Sequence, residues 1–186
     1  MSEFRATALR PSDELWPQCL TERFGKEAPS MLYVIGSLAL LASRRIALFC
    51  SVKTPGDAIL RTYDAARHMR DAGVTVISGF HSPIERECLR ILLRGKQPII
   101  ICPARAIEAM RIPTECQASF DAGRILFLSP FTKKPTRVTK DSAFVRNKLV
   151  AALADEAYIA HISPGGQTER IAHMLKQWQV PVISSS

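Results

Sequence analysis

Two adjacent segments decide the fold class: Ile46-Ala47-Leu48-Phe49-Cys50 and, directly after it, Ser51-Val52-Lys53-Thr54-Pro55-Gly56-Asp57. The first is a short apolar run, which is typical of a strand buried on both faces of a sheet. The second contains turn formers and a candidate helix cap. Apolar residues then recur at three-to-four spacing over residues 58–71, and Gly73 follows them. The order of these features predicts a strand, a loop and a helix.

The same unit recurs along the rest of the chain. Two more stretches with helical spacing, residues 84–94 and 167–177, predict helices. Further apolar runs predict strands at residues 74–78, 98–102, 125–128, 157–160 and 180–183. Strands that alternate with helices indicate a Rossmann-like α/β three-layer sandwich, in which helices cover both faces of a mostly parallel sheet.

Length and composition fit one main domain. The chain has 186 residues, of which 47% are hydrophobic and 23% are charged, so a substantial core is expected. The polar, proline-containing residues 1–30 predict an N-terminal extension with one short helix near residues 15–23, before a Rossmann-like domain over residues 31–186. No apolar run reaches the length of a signal peptide or a membrane span, which predicts a cytoplasmic protein without a membrane partner.

The spacing of cysteines and histidines favours a binding protein over an enzyme. The five cysteines include no CxxC pair, and His68, His161 and His173 share no metal-ligand spacing. Cys50 and His81 follow neighbouring strands, but no third group is evident that would orient them as nucleophile and base. We therefore predict no metal, no cofactor and no catalytic residue.

The charge balance favours an anionic partner. The formal net charge is +8, which suits nucleic acid or nucleotides, although a basic enzyme would have the same charge. In a doubly wound α/β fold, ligands bind beyond the carboxyl ends of the strands. The loops that follow the predicted strands are therefore the expected contact sites.

Three of these loops carry features that suit phosphate. Ser51 and Lys53 precede a helix, whose N-terminus offers unpaired N–H groups. Gly165 and Gly166 precede the last helix and allow close backbone approach to an anion. The segment 133–148 holds six basic residues and one acidic residue. Each feature also fits an ordinary turn or a solvated surface, but together they predict a track for several phosphates, with Tyr33, Phe131 and Phe144 as base-stacking or core aromatics.

Four segments resemble the DprA/Smf family of DNA-processing proteins, which are Rossmann-like domains of the SLOG superfamily. They are Leu32–Gly36, Ser51–Lys53, Val76–Phe80 and Arg146–Asp155, and the last matches in character at ten consecutive positions. The resemblance spans roughly residues 11–183. It implies a protein that binds single-stranded DNA, often as a homodimer, and that acts in DNA-mediated transformation or recombination beside a RecA-type recombinase.

The loops and the resemblance together predict a phosphate-binding set. We expect Arg146→Ala and Lys148→Ala to weaken oligonucleotide binding without unfolding the protein. The predicted set is Ser51, Lys53, Ser78, Gly79, Lys133, Lys134, Arg146, Asn147, Lys148, Gly165, Gly166, Gln167 and Thr168.

The alternative is a nucleotide-binding or nucleotide-hydrolysing protein of the same superfamily. Residues 164–169 partly match the PGGxGTxxE pattern of phosphoribohydrolase-like enzymes, but Glu169 directly follows Thr168. On a helix, that spacing turns the carboxylate by roughly 200° from a position two residues later. A third possibility is an interaction protein whose sheet edge is vestigial.

Overall fold

The structure is a computed structural model that describes residues 5–51, 54–108 and 110–183. Its strands are β1 (Thr7–Leu9), β2 (Leu32–Gly36), β3 (Arg45–Phe49), β4 (Thr75–Ser78), β5 (Ile99–Ile101), β6 (Ile125–Ser129), β7 (Glu156–Ile159) and β8 (Val182–Ile183). They form one sheet in the order β1-β2-β6-β5-β4-β3-β7-β8. The six strands from β6 to β8 in this order are parallel, so the predicted mostly parallel sheet is confirmed.

Helices cover both faces of the sheet. They are α1 (Gln18–Phe24), α2 (Gly56–Asp71), α3 (Pro83–Leu93), α4 (Gln117–Asp121), α5 (Lys140–Leu153) and α6 (Gln167–Gln177). One core contains residues of α1, α5 and α6, and a second core on the other face contains residues of α2 and α3, with Phe120 of α4 packed against it. The predicted three-layer Rossmann-like sandwich is therefore confirmed.

The central strands form where the sequence is continuously apolar. Every residue of β3 and of β6 is buried, as a sheet covered on both faces requires. β3 lies between β4 and β7, so the winding of the chain reverses between β3 and β7. This reversal is the topological switch point at which α/β proteins bind ligands.

Two antiparallel strands complete the sheet, and neither follows from the alternation of strands and helices. β2 pairs antiparallel with β6, and β1 pairs antiparallel with β2. Gly36 ends β2 with a φ of 116°, and a Cβ there would overlap the carbonyl oxygen of Ile125. Glycine is therefore the residue that allows this close pairing.

The segment before residue 31 contributes to the main core. The predicted short helix is α1, whose Leu20 is buried, and Trp16 just before it is 3% exposed. Arg23 Nη1 donates to the carbonyl oxygens of Ala152 and Ala154, at 2.8 and 2.7 Å. The domain boundary at residue 30 stays a prediction, but residues on its N-terminal side pack against α5 and extend the sheet.

The described residues contain no group of three or more histidine, cysteine, aspartate or glutamate side chains placed to hold a metal ion. All five cysteines are free thiols. Within residues 5–51, 54–108 and 110–183, no helix is long and apolar enough to cross a membrane.

Candidate nucleic-acid interface

Four helices begin at the carboxyl edge of the parallel strands. α2 follows β3, α3 follows β4, α5 follows β6 and α6 follows β7. Gln167 Nε2, at the start of α6, donates to the carbonyl oxygen of Lys140, at the start of α5, at 3.3 Å. The predicted glycine turn and the predicted basic segment therefore lie side by side.

The basic segment before α5 presents its charges to solvent. Lys133, Lys134, Arg137 and Lys140 are exposed, and within the described part of the chain none of them forms an ion pair. The backbone is held over the end of β5, because the N–H of Ala106 donates to the carbonyl oxygen of Pro135 at 2.9 Å. We call these four side chains the basic quartet.

The glycine turn before α6 is built as a close backbone turn. Gly165 has a φ of 71°, in the left-handed region, and a Cβ on Gly166 would stand 2.9 Å from the carbonyl oxygen of Ser163. Gly166 is the N-cap of α6, which has no side-chain cap. The N–H of Gly165 donates to Glu169 Oε2 at 2.8 Å, so the carboxylate that a hydrolase would need is engaged within its own turn.

Arg146 lies beneath the surface of this edge. It is 4% exposed, and its Nη1 donates to the carbonyl oxygen of Cys102, just after β5, at 3.1 Å. Its Nε donates to Asn147 Oδ1 at 2.7 Å. The guanidinium lies against Gly79, where a Cβ would overlap it. Burial lowers the pKa of Arg146, while the nearby carboxylate of Glu85 opposes that change.

Lys148 lies apart from Arg146, although the sequence places both in one motif. It is half-buried near the rings of Phe24 and Phe144, with Nζ 6.0 and 5.7 Å from their centroids. The Phe144 ring also carries the guanidinium of Arg170, 3.8 Å from its centroid. Phe144 therefore stacks on cations of the protein, while Tyr33 packs against the core and Phe131 is half-buried.

The predicted residues after β3 and β4 are mostly engaged in the fold. Ser78 is 1% exposed, and its hydroxyl donates to the carbonyl oxygen of Leu48 at 2.7 Å, which ties β4 to β3. The carbonyl oxygen of Ser51 accepts from the hydroxyl of Thr54 at 2.6 Å. Lys53 lies outside the described residues.

Glu85 is a residue of this edge that is absent from the predicted set. Its carboxylate is buried and accepts from the backbone N–H groups of Cys50, His81 and Ser82. One part of this arrangement is readable in the sequence, because a serine followed three residues later by glutamate indicates a capping box. The bond to Cys50 depends on the pairing of β3 with β4 and has no local sequence pattern.

The sequence matches the profile of the DNA recombination-mediator protein A family over residues 7–177. The chain belongs to this family. The predicted resemblance to DprA/Smf proteins is thereby confirmed. A search of curated proteins finds no match.

Solved structures with a similar fold include two proteins of the same name. DNA processing protein A (DprA) from Helicobacter pylori is 20% identical, with a TM-score of 0.76 over 97% of this chain and 80% of that one. DprA from Streptococcus pneumoniae is 18% identical, with a TM-score of 0.78 over 98% of this chain. This DprA-family chain spans 64% of the length of the S. pneumoniae protein.

A more distant likeness shows how widely the fold is shared. The molybdenum cofactor binding protein from Rippkaea orientalis is 13% identical, with a TM-score of 0.53 over 76% of each chain. At these identities, structural similarity concerns the fold, and the function of this DprA-family chain must be argued from its own residues.

Proposed function

We propose that this chain binds single-stranded DNA through its phosphates, with little sequence preference, along the carboxyl edge between α5 and α6. The observation that carries the proposal is the basic quartet, which is exposed and lies beside the glycine turn of α6. The H. pylori relative has a single-stranded DNA binding mode, which supports the same class of ligand here.

The physical basis is a set of cations and N–H donors on one side of the edge. Lysine and arginine contacts to phosphates dominate such affinity and carry no sequence information. The start of α6 adds unpaired N–H groups and a positive dipole end, since Gly166 supplies no side-chain cap. Arg146 has five N–H donors, of which two bond within the protein, so it can support a phosphate from below.

The wider role is part of the same proposal. Family membership supports a place in DNA recombination or DNA-mediated transformation. A homodimer and a RecA-type recombinase partner are the further elements that we infer from the resemblance. We propose DNA binding without catalysis, because Glu169 is held by the turn that precedes it.

A salt-titrated binding assay with a single-stranded oligonucleotide tests the proposal. For K133A/K134A, we expect the slope of log affinity against log salt to fall in magnitude by about 1.4, because each lost phosphate contact on a single strand contributes about 0.7.

The matched control removes the same charge from the opposite edge of the sheet. Arg94 and Lys96 are exposed and lie between α3 and β5, at the amino ends of the strands. R94A/K96A is expected to keep the wild-type slope. Equal losses in both double variants would show that net charge, and not this edge, determines binding.

A further inference from the structure

Three backbone N–H groups from two strand ends converge on one buried carboxylate. Glu85 Oε1 accepts from Cys50, just after β3, at 3.2 Å. Glu85 Oε2 accepts from His81 at 2.9 Å and from Ser82 at 3.1 Å, both after β4. Converging backbone N–H groups of this kind form a concave anion site, a nest. Here the nest holds an anion that belongs to the protein itself.

Helix capping accounts for only part of this arrangement. In a capping box, the N-cap hydroxyl accepts from the fourth residue, and the side chain of that residue accepts from the N-cap N–H. Ser82 and Glu85 form such a box at the start of α3. The bonds from His81 and Cys50 are additional, and the second of them comes from a different strand.

We propose that Glu85 is a built-in anion that closes the β3–β4 part of the carboxyl edge to phosphate and confines a bound strand to the α5–α6 side. For its DNA part, the inference rests on the proposed function. A phosphate that approached this part would meet donors already in use and a charge of its own sign. Displacing Glu85 would leave a carboxylate in a buried position without its three hydrogen bonds, which is costly.

The charges across the edge fit this division. Arg146 lies on the α5 side of Gly79, and Glu85 lies on the α3 side, where the strand ends carry the nest. The basic quartet continues the positive side outward. A polyanion is therefore attracted to one half of the edge and repelled from the other.

Amide chemical shifts of the wild-type protein test the path directly. On titration with oligothymidylate, we expect the N–H resonances of Gln167 and Thr168 to move and those of Cys50, His81 and Ser82 to stay in place. Equal movement of both groups would overturn the proposal. Movement of no resonance would contradict the proposed function and would leave the nest to be judged with inorganic phosphate.

Inorganic phosphate tests the nest without DNA. In E85Q and E85A, phosphate is expected to shift the N–H resonances of His81 and Ser82, which stay in place in the wild type. Where these variants bind oligothymidylate, its salt slope should increase in magnitude by about 0.7, which corresponds to one additional phosphate.

The matched control is E87Q, which makes the same charge change on α3. Glu87 is half-buried and pairs with Arg90 at 2.9 Å, away from the nest. It should behave as the wild type. A folded E85Q or E85A protein without phosphate-dependent shifts would overturn the proposal. If neither variant folds, the wild-type titration alone decides, because phosphate shifts at His81 and Ser82 in the intact protein would refute it.

Discussion

The four helices that begin at the carboxyl edge fall into two pairs. α3 and α5 start with complete capping boxes, formed by Ser82 with Glu85 and by Thr139 with Ser142. α2 and α6 start at Pro55 and Gly166, and neither residue provides a side-chain cap. The first pair therefore satisfies N–H groups with its own side chains, and the second pair leaves more of them to other acceptors.

This difference coincides with the topology of the sheet. α2 and α6 follow β3 and β7, the two strands that flank the switch point, while α3 and α5 follow β4 and β6. A self-capped helix is stable without a ligand, whereas an uncapped helix start gains stability when an anion arrives. The comparison teaches that one half of the edge supports the fold and the other half is available for binding.

The largest effect is expected for Arg146→Ala, on the self-capped half. The substitution removes a buried guanidinium that bonds to Cys102 and opposes the charge of Glu85. We expect the free energy of unfolding to fall by about 3 kcal/mol, measured by urea denaturation. The expectation from the sequence that this substitution leaves folding intact changes accordingly, because the side chain is buried.

The control for that loss is Arg137→Ala, which removes an exposed arginine from the basic quartet. Its free energy of unfolding should stay within about 0.5 kcal/mol of the wild type. An Arg146→Ala protein as stable as Arg137→Ala would mean that the buried guanidinium does not support the fold.

A smaller loss is expected for Gly79→Ala. The added Cβ would overlap the guanidinium of Arg146, so that side chain must move and give up its bond to Cys102. We expect a loss of about 2 kcal/mol by urea denaturation. Gly56→Ala is the matched control, since a Cβ there meets nothing within 4 Å.

A double variant isolates the cause. If the overlap with Arg146 is the reason for the loss, Gly79→Ala should cost almost nothing when Arg146 is already alanine. A full additional loss of about 2 kcal/mol in that background would assign the effect to the backbone of β4 instead.

The sequence predicts the parallel part of the fold because that information is local. Each strand from β3 to β8 is a short apolar run bounded by loops, and burial on both faces makes the run continuous. β1 has only three residues, of which only Leu9 is buried, inside a polar segment. Its place is set by pairing with β2, which is distant in sequence, so local pattern does not reveal it.

The site is predictable as an edge but not as a set of contacts. The alternation of strands and helices places the loops correctly, and the basic quartet is exposed as a charged loop should be. The burial of Arg146 depends on Gly79 and Cys102, which belong to other strand ends. The bond of Glu85 to Cys50 likewise joins two strands. Such contacts follow from tertiary packing, which spacing along one helix does not encode.

The smallest effect is expected for Thr139→Ala, which removes the cap of α5. The hydroxyl of Thr139 accepts from the N–H of Ser142 at 3.1 Å, and alanine leaves that donor without its acceptor. We expect a loss of about 1 kcal/mol in the free energy of unfolding and an unchanged affinity for oligothymidylate. Thr139→Ser keeps a hydroxyl at this position and should retain the wild-type stability. If Thr139→Ala weakened oligonucleotide binding as strongly as K133A/K134A while Thr139→Ser did not, the cap of α5 would belong to the binding half of the edge, and the two halves would no longer divide stability from binding.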